Sequence, residues 1–231
     1  MSETVRVMTS KGAMSCFMTR PSATARGAVV VLQEIFGVNA DMRETCDWLA
    51  AKGFVAISPD LFWRMEAGVD MSDRTQDEWQ RGFALYTALD RDLALADVAA
   101  TLAYARSLVS AQNGVGVMGY CLGGLLTFLA AAGVGADAAV AYYGGETERY
   151  LDQVAHLDAP LMMHLAAEDE YISKDAQRAI QKALRGRADT EVHKYAGCNH
   201  AFARRGGAHH DKSAAMLANE RTLRFLFEHL R

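Results

Sequence analysis

The stretch Val115-Gly116-Val117-Met118-Gly119-Tyr120-Cys121-Leu122-Gly123-Gly124 carries the reading of the chain. An apolar run ends in Gly-x-Cys-x-Gly, and helix-compatible residues, Leu125 to Ala132, follow at once. A strand, a sharp turn and a helix are the setting of a nucleophile elbow, here with cysteine where serine is usual. The glycines have a physical reason. A strained turn pushes the Cys121 side chain out of the sheet, and a side chain at Gly119 or Gly123 would crowd it. The turn also aims the N–H of Leu122 and the positive end of a new helix at one spot, which favours a thiolate and a developing oxyanion. Taken alone, the pentapeptide equally suits a buried structural cysteine in a glycine-rich turn, because free cysteine is among the most buried residue types. The surrounding chain decides between them.

Upstream, Thr4–Met8 and Ser15–Thr19 alternate as strands about a turn at Ser10-Lys11-Gly12. Ala28–Leu32 is a continuous apolar run, as expected of a strand buried on both faces. Gln33-Glu34-Ile35-Phe36-Gly37 follows, and then Asn39 or Asp41 can cap a helix running to about Lys52. Phe54–Ile57 is the next strand. Leu61 to Trp79 is irregular and reads as a loop or lid over a pocket, or as a plain surface excursion. Helical patterns at 76–90 and 92–110 lead into the elbow strand. Downstream, strands at Ala138–Tyr143, Leu161–Leu165 and Thr190–Tyr195 alternate with helices from Ser173 to Leu184 and from Lys212 to Leu230. Strands alternating with helices after an N-terminal hairpin imply an α/β fold, with a mostly parallel, doubly wound sheet. No linker or repeat divides residues 1–231, and one domain is expected.

Composition excludes several classes. Of 231 residues, 51% are hydrophobic and 23% charged, ordinary for a globular protein. Net charge is −4 with no basic stripe, so nucleic acid is not an expected partner. Residues 1–20 lack a signal-peptide core, and no run approaches the roughly 18 apolar residues of a membrane span. Cys16, Cys46, Cys121 and Cys198 have neither CxxC nor zinc spacing, so a reducing cytoplasm with free thiols is the expected setting.

Functional loops of an open α/β sheet gather at the carboxyl ends of its strands. Cys121 follows the elbow strand, Glu168-Asp169-Glu170 follows Leu161–Leu165, and Asn199-His200 follows Thr190–Tyr195. Nucleophile, acid, histidine is the α/β-hydrolase order. Cys121, His200 and Asp169 therefore form a triad candidate, with histidine taking the thiol proton and aspartate holding the tautomer. Glu168 and Glu170 compete with Asp169 for that role. Of the other histidines, His164 lies within a strand and reads as a satisfied core residue. His209-His210 reads as surface, with no third ligand spaced to make a metal site. Cys198 reads as structural. No metal or cofactor is expected.

These residues resemble the dienelactone hydrolase family, a cysteine branch of the α/β-hydrolase fold. The likeness is carried by Gln33-Glu34-Ile35-Phe36-Gly37, Gly119-Tyr120-Cys121-Leu122-Gly123-Gly124, the Asp169 loop and His200-Ala201-Phe202-Ala203-Arg204. The resemblance implies that Glu34 lies beside Cys121 and helps take its proton once substrate binds. It implies an oxyanion hole from the N–H groups of Ile35 and Leu122. Arg204 would pair with a substrate carboxylate, and with Glu34 in the resting enzyme. A carboxylate near a thiol raises its pKa, so the cysteine could rest as a protected thiol. The family has a second substrate-binding arginine upstream of the elbow; Arg81 is the nearest candidate, with Arg64 and Arg74 as competitors. Phe36 and Tyr143 complete the expected substrate contacts. One departure is the Ala166-Ala167-Glu168-Asp169-Glu170 loop, where the family commonly has glycine before the acid.

The implied reaction opens a dienelactone to maleylacetate through an acyl-cysteine. An enol leaving group needs little acid assistance, so a thiolate can suffice. The expected partner is a small, carboxylated lactone or ester, and the chain itself a monomer or small homo-oligomer. Two rivals stay open: a thioesterase or carboxylesterase with the same triad, and a non-catalytic sensor or binding protein built on Cys121.

Overall fold

The computed structural model describes residues 1–230. Its centre is a set of strands buried at every position: β3 (Gly27–Leu32), β4 (Phe54–Pro59), β5 (Val115–Tyr120), β6 (Ala138–Tyr142) and β7 (Leu161–Ala166), in each case an apolar stretch without alternation. Such strands need cover on both faces, which helices supply. β1 (Ser2–Thr9) and β2 (Gly12–Thr19) form the N-terminal hairpin, paired along their whole length from Ser2↔Thr19 to Thr9↔Gly12. With β8 (Thr190–Tyr195) at the far edge, the eight strands run β1-β2-β4-β3-β5-β6-β7-β8. β2 joins β4 antiparallel, and every later pairing is parallel. This is the expected α/β-hydrolase architecture.

The chain reverses direction across the sheet between β3 and β5, because β4 lies on one side of β3 and β5 on the other. A crevice opens at such a switch point, beyond the carboxyl ends of the two strands. The register pairs Leu32 with Gly119. The loop from Gln33 therefore runs beside the turn at Cys121, and Gly123 N–H donates to the Gln33 carbonyl (3.0 Å).

The helices are α1 (Ala40–Ala51), α2 (Gln76–Ala88), α3 (Arg91–Arg106), α4 (Leu122–Ala130), α5 (Lys174–Leu184) and α6 (Lys212–His229). Side chains of Asn39, Thr75, Asp90, Ser173 and Asp211 cap five of them by accepting first-turn N–H groups. Asn39, not Asp41, is the cap of α1. α4 begins three residues earlier than its apolar pattern suggests, with Gly123 and Gly124 inside its first turn. A Cβ at Gly123 would meet the Leu32 carbonyl oxygen at 2.3 Å, and one at Gly124 the Tyr142 carbonyl oxygen at 2.3 Å. Only glycine lets this fully buried helix seat on the sheet. Gly123→Ala is expected to cost about 3 kcal/mol, the upper part of the overpacking range, because the obstacle is backbone. Urea denaturation of the variant checks it.

One expectation is sharpened. The segment 61–79 is a loop pinned to the core, with its Asp73 and Trp79 ends lining a pocket. Leu61 and Phe62 enter the core, Trp63 Nε1 (2.9 Å) and Arg64 Nη2 (2.8 Å) bond the buried Asp97 of α3, and Met71 N–H donates to Phe36 (2.9 Å). Trp79 belongs to α2. A 3-10 helical segment, Thr147–His156, also follows β6. His164 is a satisfied core residue, its ring nitrogens 2.8 Å from Tyr195 Oη and 3.0 Å from Thr222 Oγ1. No helix among the described residues is long and apolar enough to cross a membrane.

Candidate active site

β5 ends directly at Cys121, whose backbone takes φ 53° and ψ −112°. Positive φ costs a non-glycine residue of order 1–3 kcal/mol and persists only where the surroundings impose it. Here they do: Cys121 N–H donates to the Tyr142 carbonyl (3.0 Å), and α4 starts at the next residue. Among the described residues, the only other non-glycine positions with positive φ are Tyr143, Glu146 and Ala201. All of them border the same cavity or touch the residues that do. Cys121 is the only partly exposed cysteine of the four.

β7 delivers Asp169 and β8 delivers His200. The Asp169 carboxylate is buried and oriented by the N–H groups of Tyr171 (2.9 Å) and Ile172 (3.0 Å). Both its oxygens lie 3.0 Å from His200 Nδ1. Its neighbours are spent elsewhere, Glu168 on Lys174 (2.6 Å) and the Glu170 carboxylate on Asn199 Nδ2 (3.4 Å), both exposed. The imidazole is held edge-on by Tyr143 (5.1 Å) and Tyr171 (4.8 Å). Burial alone would lower the His200 pKa; the neighbouring Cys121 and the Asp169 carboxylate push it up to about 10. His200 Nε2 is buried with no hydrogen-bond partner in this resting geometry. A proton carrier with one nitrogen fixed and the other open is the arrangement that acyl transfer requires.

Glu34 stands just past β3 and is buried. Its Oε2 accepts from Arg204 Nε (2.5 Å), while Oε1 has no partner. Arg204 also reaches Asp73 (2.9 Å from Nη1) and lies over the rings of Phe36 (4.9 Å) and Trp79 (5.8 Å). Burial lowers the Arg204 pKa, and Glu34, Tyr143 and Asp73 together raise it more, so the net direction is up. The Glu34–Arg204 pair is the one expected of the resting state. Asp73 was not anticipated, since nothing in Ser72-Asp73-Arg74 marks it out from a solvated turn.

Cys121 lines a cavity of about 240 Å³, together with Ile35, Leu122, Tyr86, Arg149 and His200. An outer chamber of about 620 Å³ shares its Trp79, Phe83, Tyr171, His200 and Arg204 walls but excludes Cys121. Cys121 therefore opens onto the smaller space. The N–H groups of Ile35 and Leu122 donate to no acceptor among the described residues, and both residues face this cavity. Three expected contacts lie elsewhere. Arg81 is exposed and ion-paired with Glu66, because two residues past Trp79 is roughly 200° round the helix, away from the cavity. Phe36 and Tyr143 are fully buried behind the wall, where they brace Arg204 and His200 instead of lining the space. His209 is exposed yet belongs to the outer chamber, its Nδ1 3.1 Å from the His200 carbonyl. Trp79, Phe83 and Tyr86 were missed as a group; their spacing along α2 (ring contact 5.6 Å for the first two) is the signal that marks them as one helix face.

The sequence profile described as the dienelactone hydrolase family matches residues 14–230. A provisionally named carboxymethylenebutenolidase of Azospirillum brasilense is 40% identical over 221 residues, covering 95% of both chains. The carboxymethylenebutenolidase of Pseudomonas putida is 36% identical over 206 residues, covering 89% of this chain and 87% of its own. A crystal structure from Klebsiella pneumoniae, provisionally named a dienelactone hydrolase, superimposes with a TM-score of 0.87 at 27% identity, covering 99% of this chain and 98% of that one.

Proposed function

This chain belongs to the dienelactone hydrolase family and is a carboxylic ester hydrolase, and on that premise we propose that it opens an unsaturated lactone through an acyl–Cys121 intermediate, working as one domain. The observation that carries the reading is the Asp169–His200 pair, 3.0 Å apart, opening onto the cavity that holds Cys121. The steps follow. The thiol proton passes to a base, the sulfur adds to the lactone carbonyl, and the N–H groups of Ile35 and Leu122 receive the oxyanion. The ring C–O bond then breaks, and the enolate, still tethered through the acyl chain, takes the proton held by that base at carbon. Water activated by His200 cleaves the thioester, returning the thiol and a free carboxylate.

The base for the first step is Glu34. A substrate carboxylate arriving at Arg204 takes the place of the Glu34 carboxylate, which is released toward the thiol, while Asp73 keeps its bond to the guanidinium. Activation is thus tied to substrate binding. The test is turnover of a carboxylated dienelactone, followed by loss of its ultraviolet absorbance, against its methyl ester. Arg204→Ala should cost roughly 2–4 kcal/mol in kcat/KM for the carboxylated lactone, since the substrate charge is left unpaired in a partly dry site. A neutral aryl acetate should barely respond. Arg204→Lys should recover only part of the loss, because one ammonium cannot reproduce a bidentate fork. Equal losses on both substrates would mean that Arg204 only supports its loop.

A second reading, hydrolysis of a carboxylester or thioester with a bulky leaving group, is favoured by the outer chamber, which is far larger than a lactone ring needs. The ratio of lactone to ester turnover separates the two.

A further inference from the structure

Asp169 and His200 meet from two different strands, and their loops must be held in register for the pair to stay aimed. Backbone does this only part of the way. Ala167 N–H donates to the Tyr195 carbonyl (2.9 Å) and Glu168 N–H to the Cys198 carbonyl (2.8 Å). Past that point the connection passes to a side chain. Asn199 Oδ1 accepts from Glu170 N–H (3.0 Å) and from His200 N–H (2.7 Å). We infer that Asn199 is a positioning residue, whose amide oxygen locks the acid loop to the histidine loop and so sets the aim of the imidazole for deacylation. This deepens the reading above and rests on it.

The lock acts on both sides of the pair. Glu170 stands between Asp169 and the Tyr171 and Ile172 N–H groups that orient its carboxylate (2.9 and 3.0 Å). Tying down the Glu170 N–H therefore fixes the turn that aims Asp169. On the other side, His200 is held at both ends of its main chain. Its N–H is taken by Asn199, and its carbonyl accepts from His209 Nδ1 (3.1 Å). The next residue, Ala201, takes φ 60°, a left-handed conformation that a non-glycine residue keeps only where its surroundings impose it. With the Asn199 amide removed, that strain has an outlet. The His200 backbone can turn, and Nε2, which has no partner of its own to hold it, swings with it.

Asparagine suits the place on chemical grounds. One carbonyl oxygen has two lone pairs and can serve both N–H groups, while the amide nitrogen donates to Glu170 Oε1 (3.4 Å). An aspartate would accept both bonds too, but would add a charge beside a run that already holds Glu168, Asp169 and Glu170. The consequence for the reaction is selective. Acylation draws on Glu34, which stands past β3 on a loop that Asn199 does not touch. Deacylation rests on His200, which activates the water. A misaimed imidazole therefore slows deacylation more than acylation.

The test uses para-nitrophenyl hydrogen adipate, a carboxylated ester whose released phenolate is coloured. Burst and steady-state rates are measured for wild type, Asn199→Ala, Asn199→Asp and Cys121→Ala, and exchange of the His200 Nδ1 proton with solvent is followed by NMR in the same proteins. Asn199 is half-buried in a loop, so truncating it leaves the core untouched. In Asn199→Ala the steady-state kcat should fall roughly 10–100-fold, the cost of a small misplacement of the reacting group. The burst rate should change by less than about threefold and KM should fall alongside kcat, the signature of slowed deacylation. Acyl-Cys121 should accumulate in the mass spectrum, and proton exchange at Nδ1 should quicken roughly tenfold or more. Asn199→Asp keeps both acceptors and should stay within about threefold of wild type. Wild-type behaviour of Asn199→Ala, equal losses of its burst and steady-state rates, or an Asn199→Asp no better than Asn199→Ala overturns the inference. Turnover that survives in Cys121→Ala while the proton exchange still follows Asn199 overturns the acyl-enzyme reading and leaves Asn199 in its role.

Discussion

Cys121→Ala is expected to fold and to lose all covalent labelling by an activated aryl ester. Alanine has the same Cβ as cysteine, so the strain at φ 53° is carried over and the turn keeps its shape. The deleted sulfur is partly exposed in the cavity, so little burial is lost. Activity is another matter. Removing the nucleophile of a triad takes away the covalent route altogether, and kcat/KM should fall by at least ~10³-fold. Cys121→Ser should fall roughly 100-fold or more, because a hydroxyl is far harder to deprotonate and the local base is not built for it. A second readout is independent of turnover. Cys121 is the largest influence lifting the His200 pKa toward about 10, so in Cys121→Ala that pKa should drop and the imidazolium should deprotonate at lower pH. NMR titration of the ring would show it. Hydrolysis at wild-type rate in Cys121→Ala would sink the assignment.

The second large effect lies with the bases. Glu34→Gln should slow acylation by roughly 10²–10⁴-fold, the usual value of a positioned base. His200→Gln should be at least as damaging, because it removes the proton carrier for acylation and deacylation alike. Asp169→Asn should cost less than either. Breaking a buried ion pair by removing one partner ordinarily destabilises by about 3–5 kcal/mol. Glu34→Gln should fall below that range, since Arg204 keeps Asp73 at 2.9 Å and the amide oxygen can still accept. Acylation and stability therefore separate in this variant, which single-turnover traces and a denaturation curve would reveal together. Glu168→Gln is the control. Its carboxylate sits on Lys174 in solvent, and it should behave as wild type. Normal acylation in Glu34→Gln with failure in Glu168→Gln would reverse the roles of the two acids.

Much of this was readable along the chain because it depends on local rules. The buried strands announced themselves as unbroken apolar runs, since a strand covered on both faces has no reason to alternate. The elbow was readable because only glycine tolerates the contacts at positions 119 and 123, where an added Cβ would meet the Gly123 and Leu32 carbonyl oxygens at 2.3 Å. Asp169 and His200 followed from the rule that loops after parallel strands converge at one edge. Asp169 could not be separated from Glu168 and Glu170 by pattern alone. What distinguishes it is burial against Tyr171 and Ile172 N–H groups, a property of folded chain and not of composition.

The remaining features were decided only in three dimensions. Arg81 and Arg149 look equivalent on paper, each a lone cation near an aromatic residue, Phe83 and Tyr150. The helical phase of α2 turns Arg81 to Glu66, while a strained turn after β6 brings Arg149 to the cavity. Phe36 and Tyr143 sit beside chemically important residues in sequence, yet the sheet buries them behind Arg204 and His200. Asp73 joins Arg204 across 131 positions, a pairing set by how the segment 61–75 is pinned to α3 and to the Phe36 backbone. Sequence determined the strands, the turn at Cys121 and the order of Cys121, Asp169 and His200 along the strand ends, because periodicity, glycine sterics and chain connectivity act over a few residues. Tertiary structure decided which charges face the substrate, because a side chain's partner depends on helix phase, register and burial, and those are settled only when distant segments pack together.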